Sequence, residues 1–195
     1  MIFLSSGGTV YGNQENQPIK ENAVPVPINH YGNLKLCIEN TIRTFNFQMK
    51  RNMLVARISN PYGPGQTYLK GVGFIDAALK RAIHGDEIEV WGDGNIVRDY
   101  IFIDDICRML YTLIDYRGEE EVFNLSSGVG TSQNDVLRIL KELIPNMKVK
   151  YTSARNVDAS KIILDNSKIM RLDSFEPIDI GTGIKCYYSY IMSKM

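Results

Sequence analysis

Tyr31 and Lys35 stand four residues apart in Tyr31-Gly32-Asn33-Leu34-Lys35, at the start of a long helical pattern. Residues at this spacing share one helix face, so the phenol and the ammonium project the same way. A nearby ammonium favours phenolate over phenol and draws a tyrosine pKa toward neutral. A tyrosine tuned in this way can take a proton from a substrate hydroxyl and return it. The same spacing also occurs where a surface lysine simply overlies a half-buried tyrosine, and the pair alone does not separate the two readings.

The surroundings of the pair carry more. Upstream, Phe3-Leu4-Ser5-Ser6-Gly7-Gly8-Thr9-Val10-Tyr11-Gly12 runs from an apolar strand end into small residues and hydroxyls. Downstream lie Arg57-Ile58-Ser59-Asn60-Pro61-Tyr62-Gly63-Pro64-Gly65-Gln66 and Gly92-Asp93-Gly94-Asn95-Ile96-Val97-Arg98-Asp99-Tyr100. In this order and spacing the motifs resemble the extended short-chain dehydrogenase/reductase superfamily. Within it the chain looks most like the NAD-dependent nucleotide-sugar epimerases and dehydratases of the UDP-glucose 4-epimerase type. The resemblance covers nearly the whole chain.

That resemblance implies roles for particular residues. Tyr31 becomes the acid/base and Lys35 its electrostatic partner, which also holds the nicotinamide ribose. A Ser or Thr is expected three residues before the Val of Val10-Tyr11-Gly12, and Gly7 stands there instead. Ser6 and Thr9 flank it and either could supply the hydroxyl; Ser5 and Ser6 could equally bridge backbone at the strand end. Ser5, Ile58 and Ser59 are expected on the nicotinamide side. Asn60, Glu89, Trp91, Arg98, Arg155 and Asp158 are expected around the nucleotide sugar, with Arg98 suited by its planar fork to a diphosphate. Asn60 also fits a turn before Pro61, Trp91 a core position, and Arg98 an ion pair with a neighbouring acid. Gly8-Thr9 lacks the Asp-Glu pair usual in the dehydratase branch, which favours epimerase-like chemistry. The implied function is NAD-dependent epimerisation of a nucleoside-diphosphate sugar through a 4-keto intermediate. The alternatives are a catalytically inactive sugar-nucleotide-binding or dimerising remnant, and a piece of a longer epimerase completed by another chain.

The elements that must position these residues follow from hydropathy and punctuation. Strands are expected at Met1–Leu4, Met53–Ile58, Glu87–Trp91, Val97–Ile103, Val122–Leu125 and Lys148–Tyr151. Helices are expected from His30 to Arg51, Val72 to His84 (closed by Gly85), Asp104 to Tyr116, Asp135 to Ile144 (capped by Ser132), Ser167 to Leu172 and onward from Ile184. Residues 12–29 and Ser59–Gln66 read as loops. In the first helix, Leu34, Ile38, Ile42, Phe45 and Met49 form an apolar stripe that Leu36, Cys37 and Phe47 widen. Such a helix is expected to be buried on two sides, one against the sheet and one in a homodimer interface.

The expected fold is α/β: the C-terminal part of a Rossmann-type parallel sheet with a small α/β substrate lobe. Residues 1–67 would form the partial core, and residues 68–195 mostly the lobe, interleaved with the last core strands. The family's Gly-rich phosphate loop has no counterpart in the sequence, so weak or no NAD binding by the chain alone is expected.

At 195 residues with a hydrophobic fraction of 44%, the chain can bury a sizeable core. Its formal net charge of zero offers no global field for nucleic acid or an anionic membrane. Cys37, Cys107 and Cys186 have no metal-ligand spacing and are expected as small buried thiols in a reduced, cytoplasmic protein. His30 and His84 show no ligand or triad spacing. No metal is expected.

Overall fold

The computed structural model describes residues 1–66, 73–153 and 159–195. The sheet that organises the chain is parallel and three-stranded, in the order β1 (Ile2–Ser6), β2 (Leu54–Ile58), β6 (Val122–Leu125). Ile2 pairs with Leu54 and Ser6 with Ile58, while Val55 pairs with Val122 and Ile58 with Leu125. The strands alternate, so one face of β2 shows Leu54 and Ala56 and the other Val55 and Arg57. The first face packs on α4 (Ile103–Ile114) through Ile106, Met109 and Leu113. The second lies under α2 (His30–Met49).

After Ser59 the chain leaves this sheet. Asn60–Tyr62 forms β3 and pairs parallel with β5 (Val97–Phe102), Asn60 opposite Tyr100. A stretch read as loop is therefore strand over these residues; three residues with a proline inside carry too little pattern to be seen in sequence. β5 also pairs antiparallel with β7 (Gly130–Ser132) and parallel with β9 (Lys161–Ile162). A second parallel pair joins β4 (Glu87–Trp91) to β8 (Lys148–Thr152).

Around these strands α3 (Phe74–His84), α5 (Gln133–Leu143) and α7 (Ile180–Met192) bury Leu79, Leu140, Ile184 and Tyr187 against Ile88, Val90 and Tyr100. A third cluster joins Val10 of the short α1 (Gly7–Val10) and Tyr11 to Ile19, Ile162 and Leu164. Helix α6 (Ser167–Met170) adds Ile169 to the α4 side.

Local chemistry sets the helix ends. Asn29 caps α2 by accepting from the Gly32 amide at 2.8 Å. Ser132 and Asp135 form a reciprocal capping box on α5. Gly85 closes α3 at φ 75°, a left-handed conformation that glycine adopts without a Cβ penalty.

Helix α2 departs from its expected packing. Of its apolar stripe only Ile42 is buried; Leu34, Ile38, Phe45 and Met49 are exposed, and Phe47 is 86% exposed. The residues it turns inward are Gly32, Glu39, Ile42 and Asn46. Polar side chains can occupy that face because the sheet supplies partners: Arg57 and Ser5 for Glu39, and the Met53 backbone for Asn46. The cysteines are also corrected: Cys37, Cys107 and Cys186 are exposed free thiols, each on the outward side of its helix.

Candidate active site

The carboxyl end of β1 is where the predicted catalytic residues meet. Gly32 sets the approach: a Cβ there would lie 2.6 Å from the Thr9 carbonyl, so only glycine lets the start of α2 dock on the segment after β1. This brings Tyr31 and Lys35 over the strand end. The Lys35 ammonium donates to the Leu4 carbonyl at 2.9 Å and lies 4.9 Å from the Phe3 ring centre and 5.5 Å from that of Tyr31. Tyr31 is 55% exposed, so its phenol is open to an incoming molecule.

Gly7 has a structural reason. A Cβ at position 7 would meet Leu164 Cδ1 at 2.4 Å and the Arg57 carbonyl at 3.2 Å. The neighbouring hydroxyls differ. Thr9 Oγ1 donates to the Ser6 carbonyl at 3.3 Å, whereas the Ser6 hydroxyl makes no hydrogen bond among the described residues. Ser5 is buried and its hydroxyl donates to Glu39, so its side chain belongs to the packing under α2.

That packing is a polar network the sequence reading did not find. Arg57 donates to Glu39 through Nε and Nη2, and through Nη1 to the Tyr11 hydroxyl at 2.9 Å. Tyr11 in turn donates to Asn124 Oδ1 at 2.7 Å. Burial pushes the Tyr11 phenol up to about 12, against the opposing pull of Arg57. The only sequence signal was a glutamate one turn beyond Lys35, on a helix whose apolar residues lay elsewhere.

Of the residues expected on the nicotinamide side, Ile58 is partly buried against the α4 face, and Ser59 is buried with its hydroxyl donating to Asp99 at 3.2 Å. Asn60 Nδ2 donates to the Asp99 carbonyl at 3.0 Å. The Asn60 amide also lies beside Gly8, where a Cβ would sit 3.4 Å from its Oδ1, so Asn60 adjoins the segment on which the start of α2 docks. Asn60 and Arg98 line one pocket of about 370 Å³, together with Tyr62, Phe74, Asp76 and Gln133. Glu89 and Trp91 line a recess of about 320 Å³, with Arg81 beside them. Gly73 and Phe74 line both, so the two recesses are neighbours on either side of the start of α3. Arg155 and Asp158 lie outside the described residues.

Asp99 anchors this region from behind. Its carboxylate accepts from the Ser59 hydroxyl, the Ser127 amide and hydroxyl, and the Gly128 and Leu164 amides. Burial pushes its pKa up to about 6, so desolvation outweighs these donors. It joins β5 to the β6–β7 turn and to the segment after β9, holding Asn60 and Arg98 at fixed places on neighbouring strands.

The residues fit the nicotinamide end of a dinucleotide: an exposed Tyr31–Lys35 pair at a strand's carboxyl end, beside the small Gly7 and Gly8. Among the described residues no Gly-rich strand-to-helix turn offers a pyrophosphate cradle. Nor is any helix among them long and apolar enough to cross a membrane.

Comparison with known proteins places this geometry. The pattern of the NAD dependent epimerase/dehydratase family matches residues 1–126. The chain is 30% identical over 171 residues to the dTDP-4-dehydro-6-deoxyglucose reductase of Escherichia coli, covering 87% of this chain and 54% of that protein. It is 29% identical over 197 residues to the UDP-glucose 4-epimerase of Mycoplasma pneumoniae, covering 90% and 58%. Its fold matches the crystal structure of the Thermotoga maritima UDP-glucose 4-epimerase with UDP-glucose at a TM-score of 0.92 and 33% identity, covering 99% of this chain and 63% of that one. The chain thus spans between about half and two thirds of the length of these relatives.

Proposed function

Because the chain belongs to the NAD-dependent epimerase/dehydratase family, we propose that it carries the acid/base and nucleotide-sugar side of a UDP-hexose 4-epimerase. The observation that carries this reading is the junction at Gly8 and Asn60. There the segment on which the Tyr31–Lys35 helix docks adjoins Asn60, which lines a pocket with Arg98; Glu89 and Trp91 line the neighbouring recess. A diphosphate held by Arg98 would leave its sugar toward the exposed Tyr31 phenol.

In this reading Tyr31 takes the proton of the sugar 4-hydroxyl and returns it after the 4-keto sugar has turned in the site. Lys35, fastened by Leu4, keeps a positive charge beside the phenol. The Ser6 hydroxyl donates to the reacting oxygen. NAD supplies hydride transfer when bound. Tyr31, Lys35 and the backbone around Ser59 would hold its nicotinamide side.

A second reading concerns assembly. β1 ends its sheet, and among the described residues no strand pairs with its outer edge. Next to that edge α2 exposes Leu34, Ile38, Phe45 and Met49. An open parallel edge beside an apolar helix face favours completion by further polypeptide, either another chain that continues the sheet or a second copy docked along α2.

The test is calorimetric titration of the 195-residue chain with UDP-glucose, plus chromatography of nucleotide released on denaturation. Binding of UDP-glucose that Arg98→Met weakens by about tenfold or more is the expected result. Co-purified NAD together with interconversion of UDP-hexoses would establish the epimerase. UDP-glucose binding without NAD uptake would instead leave a sugar-nucleotide-binding protein that needs completion. No binding of any nucleotide sugar would overturn the reading.

A further inference from the structure

A carboxylate and a buried amide oxygen line the Asn60–Arg98 pocket together. Asp76 stands in the first turn of α3 and is 2% exposed. Its Oδ1 takes both the Tyr187 hydroxyl and the Lys80 ammonium, the latter at 2.7 Å. Its Oδ2 accepts no hydrogen bond among the described residues. Gln133, at the start of α5, has its Oε1 buried and without a hydrogen-bond partner among the described residues. Both residues line the same cavity of about 370 Å³. Buried acceptors left without donors are costly and uncommon. Gln133 Oε1 is such an acceptor and the Asp76 carboxylate stands on the same cavity, so a ligand there is expected to bring the donors.

We propose that Asp76 and Gln133 form an acceptor pair that reads hydroxyl groups of the bound molecule, with Asp76 determining specificity. The proposal rests on the nucleotide-sugar reading and deepens it. Tyr187 and Lys80 hold one carboxylate oxygen in place, which fixes the direction of the other. Lys80 also balances the charge of Asp76, so a buried carboxylate is tolerable in the absence of ligand. A carboxylate repels phosphate and accepts from hydroxyls. The pocket therefore sorts its occupant: the diphosphate goes to Arg98 and a hydroxylated ring to Asp76 and Gln133. That ring is either the ribose of the nucleotide or the hexose joined to it.

Calorimetry on the full chain with UDP-glucose, UDP and 2′-deoxy-UDP separates the two sources. If the ribose is read, UDP binds about tenfold or more tighter than 2′-deoxy-UDP. If the hexose is read, UDP-glucose exceeds UDP by that factor, and UDP and 2′-deoxy-UDP bind alike. In either case Asp76→Ala should erase the preference and Gln133→Leu should reduce it. Tyr187→Phe keeps the ring and removes one donor to Oδ1, leaving Lys80 to hold that oxygen, so it should lower Tm and retain part of the preference. Should Asp76→Ala not fold, Asp76→Asn keeps the volume and should still lose most of the preference. Wild-type binding without any preference, or an Asp76→Ala loss equal for all three ligands, would overturn the assignment and leave the nucleotide-sugar reading standing. Absence of binding to all three would overturn that reading, and this assignment with it.

Discussion

Arg57 Nη2 lies 2.6 Å from Glu39 Oε2, and both side chains are almost wholly buried between α2 and the central sheet. Glu39 sits one helical turn beyond Lys35, so this pair fixes the height of the Tyr31–Lys35 face above the end of β1. Removing one partner strands the other charge in the interior. Glu39→Ala is therefore expected to lower the unfolding free energy by about 3–5 kcal/mol. The double variant Glu39→Met/Arg57→Met leaves no buried charge and should unfold at a higher urea concentration than Glu39→Ala. Urea melts followed by circular dichroism decide it; a double variant weaker than the single would show that the ion pair itself carries the stability.

The raised pKa of Asp99 sets a pH dependence. Its folded value of about 6 lies above the ordinary 3.8, so the fold binds this proton more tightly than the unfolded chain does. The contribution to stability is present in full below pH 3.8 and is lost as pH rises through 6. Across that window it amounts to at most about 3 kcal/mol. Carboxyl carbon NMR should show Asp99 titrating near 6. Relative to Asp99→Asn, the wild type should lose stability between pH 4 and pH 7; a flat difference would mean that the five donors hold the carboxylate ionised throughout.

Much of this arrangement was legible in the sequence, and the exceptions share a cause. The strand order along the chain, the Ser132 cap, the Gly85 stop and the Tyr31–Lys35 helix all rest on local pattern, and the structure has them. The inward face of α2 rests on partners far away in sequence. Periodicity assigned the core to Leu34, Ile38, Phe45 and Met49, whereas the fold buries Glu39 and Asn46 because Arg57 and the Met53 backbone meet them. Asp99 and Asp76 escaped for the same reason: a carboxylate looks solvent-facing until its donors, from Ser127, Leu164 and Tyr187, are brought in by the fold. Gly7 looked like a defect in a catalytic motif, and Leu164, 157 positions along the chain, is what fills the space a side chain there would need.

Restoring a hydroxyl at that position should therefore do harm. Gly7→Ser places its Cβ against Leu164, and overpacking of this kind costs about 1–3 kcal/mol. Gly7→Ser/Leu164→Ala opens the space and should recover part of the loss in Tm. A Gly7→Ser chain as stable as the wild type would show that the Leu164 side chain relocates without strain.

Tyr31 is exposed at the strand end and lies outside the lining of the Asn60–Arg98 pocket. Tyr31→Phe should accordingly leave UDP-glucose affinity within about twofold. Epimerisation, in whatever assembly supports it, should fall by roughly 10²–10⁴-fold, the usual worth of a positioned acid/base. Arg98→Met should do the reverse to affinity, weakening it by roughly tenfold or more, since a guanidinium bonds a diphosphate through two donors at once. Equal losses of affinity in both variants would contradict the separation of proton transfer from nucleotide binding.

The two hydroxyls beside Gly7 can be told apart by what they already do. Thr9 donates to the Ser6 carbonyl within its own short helix, so its proton serves the backbone. Ser6 ends β1 and has a hydroxyl with no protein partner among the described residues, at the strand end above which Tyr31 stands. A donor free to turn toward the reacting oxygen is worth more in the transition state than one already occupied. Ser6→Ala should therefore lower kcat by about tenfold or more with little change in KM, the mark of an interaction made in the transition state. Thr9→Ala should alter Tm slightly and leave kcat near the wild-type value. If Thr9→Ala proves the slower variant, the Thr9 hydroxyl must leave the Ser6 carbonyl when substrate arrives, and the short helix that follows β1 would be the part of the site that moves.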